Sequence, residues 1–297
     1  MLKIDGITKQ FGDKLAVDAL SMTVEDGSIM GLIGQNGAGK TTTFRMILDF
    51  IKADKGLITW NGSPITQDLK QKIGFLPEER GLYQKMTVEE QILYFAELHG
   101  MKRSDAREEL GSWMDKLEVV GKMTDKVQTL SKGNAQKIQF IATLIHRPNF
   151  LILDEPFTGL DPVNTSLLMN EIKTLKENGA AIIFSSHNMS GVESLSDNVT
   201  MLKKGKVVLQ GDIYEIRNSF GRTQVYVESE LSDAQLSSID GVNSIEQQGS
   251  GRMIHIANEQ VGHELFKKVS ASGYVQAFVQ APPTLDEIFR KEVAEHV

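Results

Sequence analysis

The chain has 297 residues, which is enough for one large domain and one small domain. Hydrophobic residues make up 40% and charged residues 24%, as in ordinary globular proteins, and the absence of cysteine excludes disulfide bonds and thiolate metal sites. The formal net charge of -7 gives no electrostatic footprint for a nucleic-acid backbone, so we expect no nucleic-acid partner. No apolar run approaches the roughly 20 residues that span a bilayer, so we expect no direct insertion into a membrane.

The first two thirds of the chain predict alternating strands and helices. Short strands are expected within Leu2–Glu25, and the apolar run Ser28–Ile33 leads through a glycine-rich loop into a helical pattern at Lys40–Phe50. Helical patterns dominate from 87 to 147, and Thr87 with Glu90 predicts a capping box at their start. The remaining strands are predicted at Leu57–Trp60, Ile73–Leu76, Phe150–Leu153, Ala180–Ser185, Val199–Leu202 and Lys206–Leu209. This alternation predicts an α/β fold with a mostly parallel sheet covered by helices.

The pattern changes after about Asn218, where a second group of elements begins. Strands are predicted at Gln224–Glu228, Asn243–Gln247, Arg252–Ile256 and Val275–Phe278, and helices at Asp233–Ile239, Glu259–Ala271 and Leu285–Val293. The β-α-β-β-α-β order predicts a small α+β module of about 80 residues. We therefore expect a main domain of residues 1–217, whose helical subdomain covers about 87–147, and a C-terminal domain of residues 218–297.

One glycine-rich segment fits the phosphate-binding pattern G-x-x-x-x-G-K-[ST]. We call it the phosphate loop; it reads Gly34-Gln35-Asn36-Gly37-Ala38-Gly39-Lys40-Thr41, followed by Thr42. Its glycines let backbone N–H groups curl around a polyphosphate, and the following helix adds the positive end of its dipole. Lys40 can reach the β- and γ-phosphates, the Thr41 hydroxyl can hold Mg²⁺, and Thr42 completes the expected phosphate contacts. The alternative is a chance turn, but the position between a strand and a helix favours phosphate binding.

A second phosphate-related motif is the apolar strand that ends in Asp154 and Glu155. Asp154 is well placed to hold a Mg²⁺ ion through its water shell. Glu155 points elsewhere because strand side chains alternate, and it can act as the general base for an attacking water. The alternative is a strand that simply ends in solvated acids.

Three further segments follow in a fixed order. They are Leu130-Ser131-Lys132-Gly133-Asn134-Ala135-Gln136-Lys137, Gly159-Leu160-Asp161 and Ser185-Ser186-His187. With the two phosphate motifs, they resemble the ATP-binding-cassette (ABC) ATPases over residues 1 to about 217. The resemblance implies a P-loop cassette with a mostly parallel core sheet, an antiparallel β subdomain and a helical subdomain. It also implies that the chain hydrolyses ATP with Mg²⁺ as cofactor.

The resemblance assigns roles to individual residues. Ser131 and the Gly133 N–H complete the nucleotide site of a partner subunit, so that ATP joins two domains. His187 contacts the γ-phosphate, Asp161 communicates across the dimer, and Phe11 stacks on adenine. The alternatives are core packing for Phe11, a capping role for His187 and a simple helix cap for Ser131.

The chain departs from the family pattern at two places. The usual Leu-Ser-Gly-Gly-Gln signature reads Leu130-Ser131-Lys132-Gly133-Asn134 here, and we call it the signature segment. Lys132 adds positive charge near the site, and the phosphate-binding Ser131 and Gly133 are kept. Glu78 stands where the family has glutamine; its carboxylate can coordinate Mg²⁺ but adds negative charge beside the phosphates, which Arg80 is expected to offset.

Further sequence segments resemble a bacterial exporter subgroup similar to the Nat-type sodium-efflux ATPases. It is found at Phe75–Tyr83, in the residues around the signature segment and in the C-terminal domain, which ends in Pro282–Phe289. The implied protein is a cytoplasmic ATPase at the inner face of the cell membrane, working as a homodimer or paired ATPase subunit that drives a separate transmembrane permease. The implied C-terminal domain regulates or supports the dimer. Two other functions stay open: a soluble ABC ATPase acting on the ribosome or nucleic acid, and a nucleotide-gated scaffold.

Overall fold

The computed structural model describes residues 1–79 and 81–294, and the chain divides into two compact units after Gln210. The strands of the first unit are β1 (Leu2–Phe11), β2 (Lys14–Val24), β3 (Ile29–Gly34), β4 (Lys55–Trp60), β5 (Ser63–Pro64), β6 (Ile73–Leu76), β7 (Phe150–Asp154), β8 (Ala181–Ser185), β9 (Asn198–Lys203) and β10 (Lys206–Asp212), the last of which crosses the division. Its helices are α1 (Lys40–Ile47), α2 (Gln67–Lys70), α3 (Val88–Leu98), α4 (Arg103–Lys116), α5 (Lys132–Leu144), α6 (Pro162–Glu177) and α7 (Met189–Leu195).

The core sheet of the first unit has the strand order β10-β9-β3-β8-β7-β6. The β3–β8, β3–β9, β7–β8 and β6–β7 pairs are parallel, which confirms the predicted mostly parallel sheet. Every residue of β3, β7 and β8 is buried and most are apolar, as expected when helices cover both faces of the sheet. Because parallel strands end at the same edge, residues after β3, β6, β7 and β8 are brought together.

A second sheet, with the order β2-β1-β4-β5, is antiparallel. Its buried Leu20 and Met22 share one core with Phe44 of α1 and with Leu32 and Ile183 of the parallel sheet. This shared core seats α1 between the two sheets and so fixes the start of the helix that follows the phosphate loop.

The helical subdomain contains α3, α4 and α5. The predicted capping box is confirmed, since Thr87 Oγ1 accepts from the Glu90 N–H at 3.2 Å and Glu90 Oε2 accepts from the Thr87 N–H at 2.8 Å. Ser131 is the N-cap of α5, and its hydroxyl oxygen accepts from the Asn134 N–H. In the described ranges 1–79 and 81–294, no helix combines the length and apolar character that crossing a bilayer requires.

The second unit begins at Gly211, whereas the sequence predicts a boundary at 217. The earlier division arises because α8 (Ile213–Ser219) belongs with the C-terminal elements: Arg217 Nε donates to the Pro283 carbonyl at 2.9 Å. The other elements are β11 (Gln224–Glu228), α9 (Asp233–Ser237), β12 (Val242–Gln248), β13 (Gly251–Ile256), α10 (Glu259–Ala271), β14 (Ala277–Ala281) and α11 (Leu285–Ala294). They follow the predicted β-α-β-β-α-β order around a β12-β13-β11-β14 sheet.

Two histidine rings stack on each other in the first unit. His99 lies at the C-terminal end of α3, and His146 follows the C-terminal end of α5. The His99 and His146 ring centroids lie 3.8 Å apart with an interplanar angle of 12°. Both ring nitrogens of His146 are buried. Burial, helped by the neighbouring His99, lowers the pKa of His146 to about 3.

This depressed pKa predicts a loss of stability in mild acid. The unfolded chain takes up the His146 proton near pH 6.5 and the folded chain only near 3, so stability is lost as pH falls below about 6.5. Between pH 7 and pH 5, the free energy of unfolding should fall by about 2 kcal/mol more in the wild type than in His146→Gln. Urea unfolding of both proteins at the two pH values measures this difference. Equal pH dependence in both proteins contradicts the account.

Candidate nucleotide-binding site

The phosphate loop connects the end of β3 to the start of α1. Gly34 and Gly39 have φ values of 152° and 116°, which L side chains rarely adopt. A Cβ at Gly34 would lie 2.4 Å from the Leu202 carbonyl oxygen, and one at Gly39 would lie 2.6 Å from the Ala16 carbonyl oxygen. Both positions therefore require glycine, and the loop is clamped between β9 and β2.

Lys40 is the first residue of α1, and its side chain is buried. Its Nζ donates to the Gly34 carbonyl at 2.7 Å and lies 3.3 Å from that of Gln35. Burial lowers the pKa of Lys40, and the nearby carboxylates of Glu155, Asp154 and Glu78 oppose the effect. The ammonium therefore lies among acidic groups that favour its charged form.

Two of the three predicted metal-binding side chains, Thr41 and Asp154, are close together; the third, Glu78, lines the same cavity. Thr41 Oγ1 lies 3.4 Å from Asp154 Oδ2, although 113 residues separate them in sequence. A hydroxyl and a carboxylate are hard oxygen donors of the kind that Mg²⁺ prefers. The donor set therefore fits a magnesium ion.

Ser185 is a buried residue that the sequence analysis did not select. It pairs with Asp154 in the β7–β8 register; its Oγ donates to Asp154 Oδ1 at 2.6 Å and accepts from the Glu155 N–H at 3.0 Å. One hydroxyl thus holds the carboxylate of Asp154 and the backbone of Glu155. The sequence signal that could have identified Ser185 is its position at the end of β8, which pairs in parallel with β7, the strand that ends in Asp154.

Glu155 follows β7 in the left-handed region, with a φ of 51°. Its Oε1 lies 3.2 Å from His187 Nε2, and its Oε2 lies 3.4 Å from the His187 backbone nitrogen. Burial raises the pKa of Glu155, and His187 opposes the shift. The carboxylate is therefore more basic than an exposed glutamate, and it lies beside an imidazole. A raised pKa is the property that suits a carboxylate to act as a general base.

These groups line one cavity of about 370 Å³. The predicted residues in its lining are Phe11, Asn36, Gly37, Gly39, Lys40, Thr41, Thr42, Glu78, Asp154, Glu155 and His187, and the unpredicted ones include Lys14 and Ala16. Gly34, Gln35 and Ala38 shape the loop behind it. The Phe11 ring is 49% exposed, so it is not a core residue, and Lys9 Nζ lies 5.4 Å from its centroid. Arg80 lies outside the described residues.

Ser131 and Gly133 lie at the start of α5 and do not line this cavity. Ser131 is exposed, and α5 is tied to the end of β7 because Gln136 Nε2 donates to the Pro156 carbonyl at 3.1 Å. Asp161 caps α6, since its Oδ1 accepts from the Asn164 N–H at 2.9 Å.

Two protein-family models match this chain. The family model described as ABC transporter matches residues 17–158, and that described as ATP-binding protein DrrA1-3-like, C-terminal domain, matches residues 211–293. The chain is 45% identical to the uncharacterised ABC transporter ATP-binding protein YhaQ of Bacillus subtilis strain 168, over 99% of this chain and 98% of that protein. The chain belongs to the ATP-binding subunits of ABC transporters.

Other relatives of this ABC ATPase carry more specific names. It is 35% identical to the ABC transporter ATP-binding protein NatA of Bacillus subtilis strain 168, over 74% of this chain and 92% of NatA. It is 31% identical to the Nod factor export ATP-binding protein I of Rhizobium sp. strain N33, over 97% of this chain and 95% of that protein. A solved ATP-binding subunit of an ABC transporter matches with a TM-score of 0.69 and 26% identity, over 74% of this chain and 93% of that one.

Family membership confirms the fold class and the resemblance to ABC ATPases, including the Nat-type relatives. The chain is an ATP-binding and ATP-hydrolysing enzyme of the ABC transporter class. ATP-binding subunits of this class generally work as dimers with a transmembrane subunit. The ribosomal, nucleic-acid and scaffold alternatives receive no support from it.

The Ser185 contacts generate a prediction for this ABC ATPase. Ser185→Ala should lower kcat by about tenfold or more, because a hydrogen bond to a charged group contributes roughly 1.5–3 kcal/mol. It should also raise the Mg²⁺ concentration needed for half-maximal turnover, since Asp154 loses its donor. Steady-state ATPase rates across a Mg²⁺ titration measure both effects.

Ser186→Ala is the matched control, because the Ser186 hydroxyl oxygen accepts from the Asn188 N–H and contacts neither carboxylate. If the two variants show the same rates and the same Mg²⁺ dependence, Ser185 does not position the acidic pair.

Proposed function

We propose that this ABC ATPase powers export through a separate transmembrane permease, as a homodimer that closes on Mg-ATP. The observation that carries the proposal is the single cavity in which Lys40, Asp154, Glu155 and His187 converge, while the signature segment lies outside it. The cavity holds the phosphate loop, the proposed base and the proposed metal donors of one copy. We therefore infer that the signature segment which completes the site comes from a second copy. The export direction is supported by the relative named for Nod factor export.

In this proposal, the phosphate loop and Lys40 bind the β- and γ-phosphates of ATP. Lys40 exchanges its contacts with the Gly34 and Gln35 carbonyls for phosphate oxygens, which adds positive charge where negative charge develops. Thr41, Asp154 and Glu78 are the proposed Mg²⁺ donors. The bound ion supplies charge neutralisation at the β- and γ-phosphate oxygens.

The Glu155 carboxylate accepts the proton of the attacking water as the γ-phosphate is transferred. Its raised pKa strengthens it as a base, and His187 Nε2 lies 3.2 Å from its Oε1. His187 is half-exposed at the cavity, so its ring can also contact the γ-phosphate. Phe11, with its exposed ring at the cavity rim, stacks on adenine.

The second copy contributes Ser131, the Gly133 N–H and the N-terminus of α5 to the terminal phosphate. Lys132, the exposed first residue of α5, brings an additional positive charge. ATP therefore attracts both copies, and hydrolysis removes the charge that joins them. Asp161, at the start of α6, is proposed to communicate across the same dimer face.

The permease is proposed to dock in a groove of about 410 Å³ beside Pro77, Gly81–Tyr83 and the helices that follow. The groove is lined by Phe75, Leu82 and Phe95, and the exposed rings of Phe50 and Tyr83 flank it. Exposed apolar side chains of this kind mark a protein interaction surface. Docking there places the ATPase in the cytoplasm against the inner face of the cell membrane, with the C-terminal domain supporting or regulating the pair.

The variant Glu155→Gln tests this proposal, because it keeps the shape of the side chain and removes the base. It should bind ATP, form a stable dimer with MgATP and turn over about a hundredfold or more slowly. Sedimentation velocity with MgATP, with MgADP and without nucleotide reads the assembly, and phosphate release reads the turnover. Glu177→Gln, on the exposed end of α6, is the matched control and should behave as wild type.

A Glu155→Gln protein that binds MgATP and stays monomeric contradicts closure of two copies on nucleotide. Unchanged turnover in that variant contradicts the role of Glu155 as base.

A further inference from the structure

Asn134 occupies the last position of the signature segment, where the family pattern has glutamine. Its half-buried side-chain amide contacts one backbone N–H and one side-chain hydroxyl. Asn134 Oδ1 lies 3.0 Å from the Val120 backbone nitrogen, and Asn134 Nδ2 lies 3.1 Å from Ser131 Oγ. The amide therefore links the start of α5 to the loop that follows α4.

The orientation of this amide is fixed by chemistry. The Val120 N–H can only donate, so the Asn134 atom that faces it must be the carbonyl oxygen. The other end of the amide, facing Ser131 Oγ, must then be the NH₂ group, which can only donate. Lys137 Nζ also donates to the Glu118 carbonyl at 2.9 Å, so a second bond from α5 holds the same loop in place.

These contacts determine which hydrogen bonds the Ser131 hydroxyl can make. Its oxygen accepts from Asn134 Nδ2 at 3.1 Å and from the Asn134 backbone N–H at 3.2 Å. A hydroxyl has two acceptor lone pairs and one donor hydrogen, so both lone pairs are engaged. The hydrogen is what remains, and Ser131 is exposed. The hydroxyl is thus committed to donating outward.

We propose that Asn134 is a positioning residue that holds the Ser131 hydroxyl as a hydrogen-bond donor to the terminal phosphate of ATP bound by a second copy. This rests on the proposed function, in which Ser131 acts in trans. A phosphate oxygen is an acceptor, so a hydroxyl whose hydrogen is already directed outward binds it without reorganisation. Asn134 itself touches no nucleotide in this account.

Asn134→Asp tests the direction of the bond with almost no change of shape. One carboxylate oxygen still accepts from the Val120 N–H, but the other accepts the Ser131 hydrogen instead of donating to its oxygen. In the Glu155→Gln background, the dimer dissociation constant with MgATP should rise by about tenfold or more. Monomer affinity for an ATP analogue carrying a fluorescent group on its ribose should change by less than about twofold, because the phosphate loop is untouched.

A double-mutant cycle with Ser131→Ala separates orientation from the added negative charge. Asn134→Asp should weaken the dimer strongly when Ser131 is present and add little when it is replaced by alanine. Asn134→Ala provides an uncharged second variant, which should weaken the dimer and show the same dependence on Ser131. Thermal unfolding of each variant checks that it is folded, and sedimentation equilibrium measures the dissociation constants.

The outcomes distinguish this inference from the proposed function. If Ser131→Ala weakens the dimer but neither Asn134 variant does, or if their effects add independently of Ser131, the positioning role of Asn134 is overturned and the trans contact stands. If Ser131→Ala leaves the MgATP dimer unchanged, the trans contact is itself wrong, and the role of Asn134 falls with it.

Discussion

The loop between β3 and α1 leaves no room for side chains at Gly34 and Gly39, and the rest of the site depends on this constraint. The Leu202 carbonyl oxygen lies too close for a Cβ at Gly34, and the Ala16 carbonyl oxygen lies too close for a Cβ at Gly39. Strands β9 and β2 therefore pack closely against the loop. Its backbone N–H groups are therefore held in place before any phosphate arrives. A preorganised loop binds a polyphosphate without first losing its own conformational freedom.

The parallel sheet then determines which side chains meet that loop. Strands β3, β7 and β8 end at one edge, so Lys40, Asp154 and Ser185 come together although the sequence separates them widely. Ser185 joins the acidic pair from within the core, where a hydroxyl with both hydrogen bonds made costs little to bury. The proposed catalytic edge thus combines the carboxylate of Asp154, the carboxylate of Glu155 with its raised pKa, and the buried Lys40.

How much the sequence reveals follows from how local each feature is. The phosphate loop and the Asp154–Glu155 pair were predictable because their spacing along the chain carries the chemistry. Ser185 was not, because its contacts depend on the register between β7 and β8. The bond between Asn134 and Val120 escaped prediction because it depends on how the loop after α4 packs against α5. The predicted boundary at 217 differs from the division after Gln210. The reason is that Arg217 of α8 donates a hydrogen bond to the carbonyl of Pro283, a contact that local sequence does not reveal.

In the proposed closed dimer, the terminal phosphate lies between the phosphate loop of one copy and the signature segment of another. Orthovanadate trapped with MgADP takes the place of that phosphate, and ultraviolet light then cleaves the backbone beside it. We expect cleavage at two places, in the phosphate loop and near Ser131, and we expect the second to be lost when the protein is diluted to monomers. Cleavage confined to the phosphate loop, under conditions where vanadate is trapped, contradicts it.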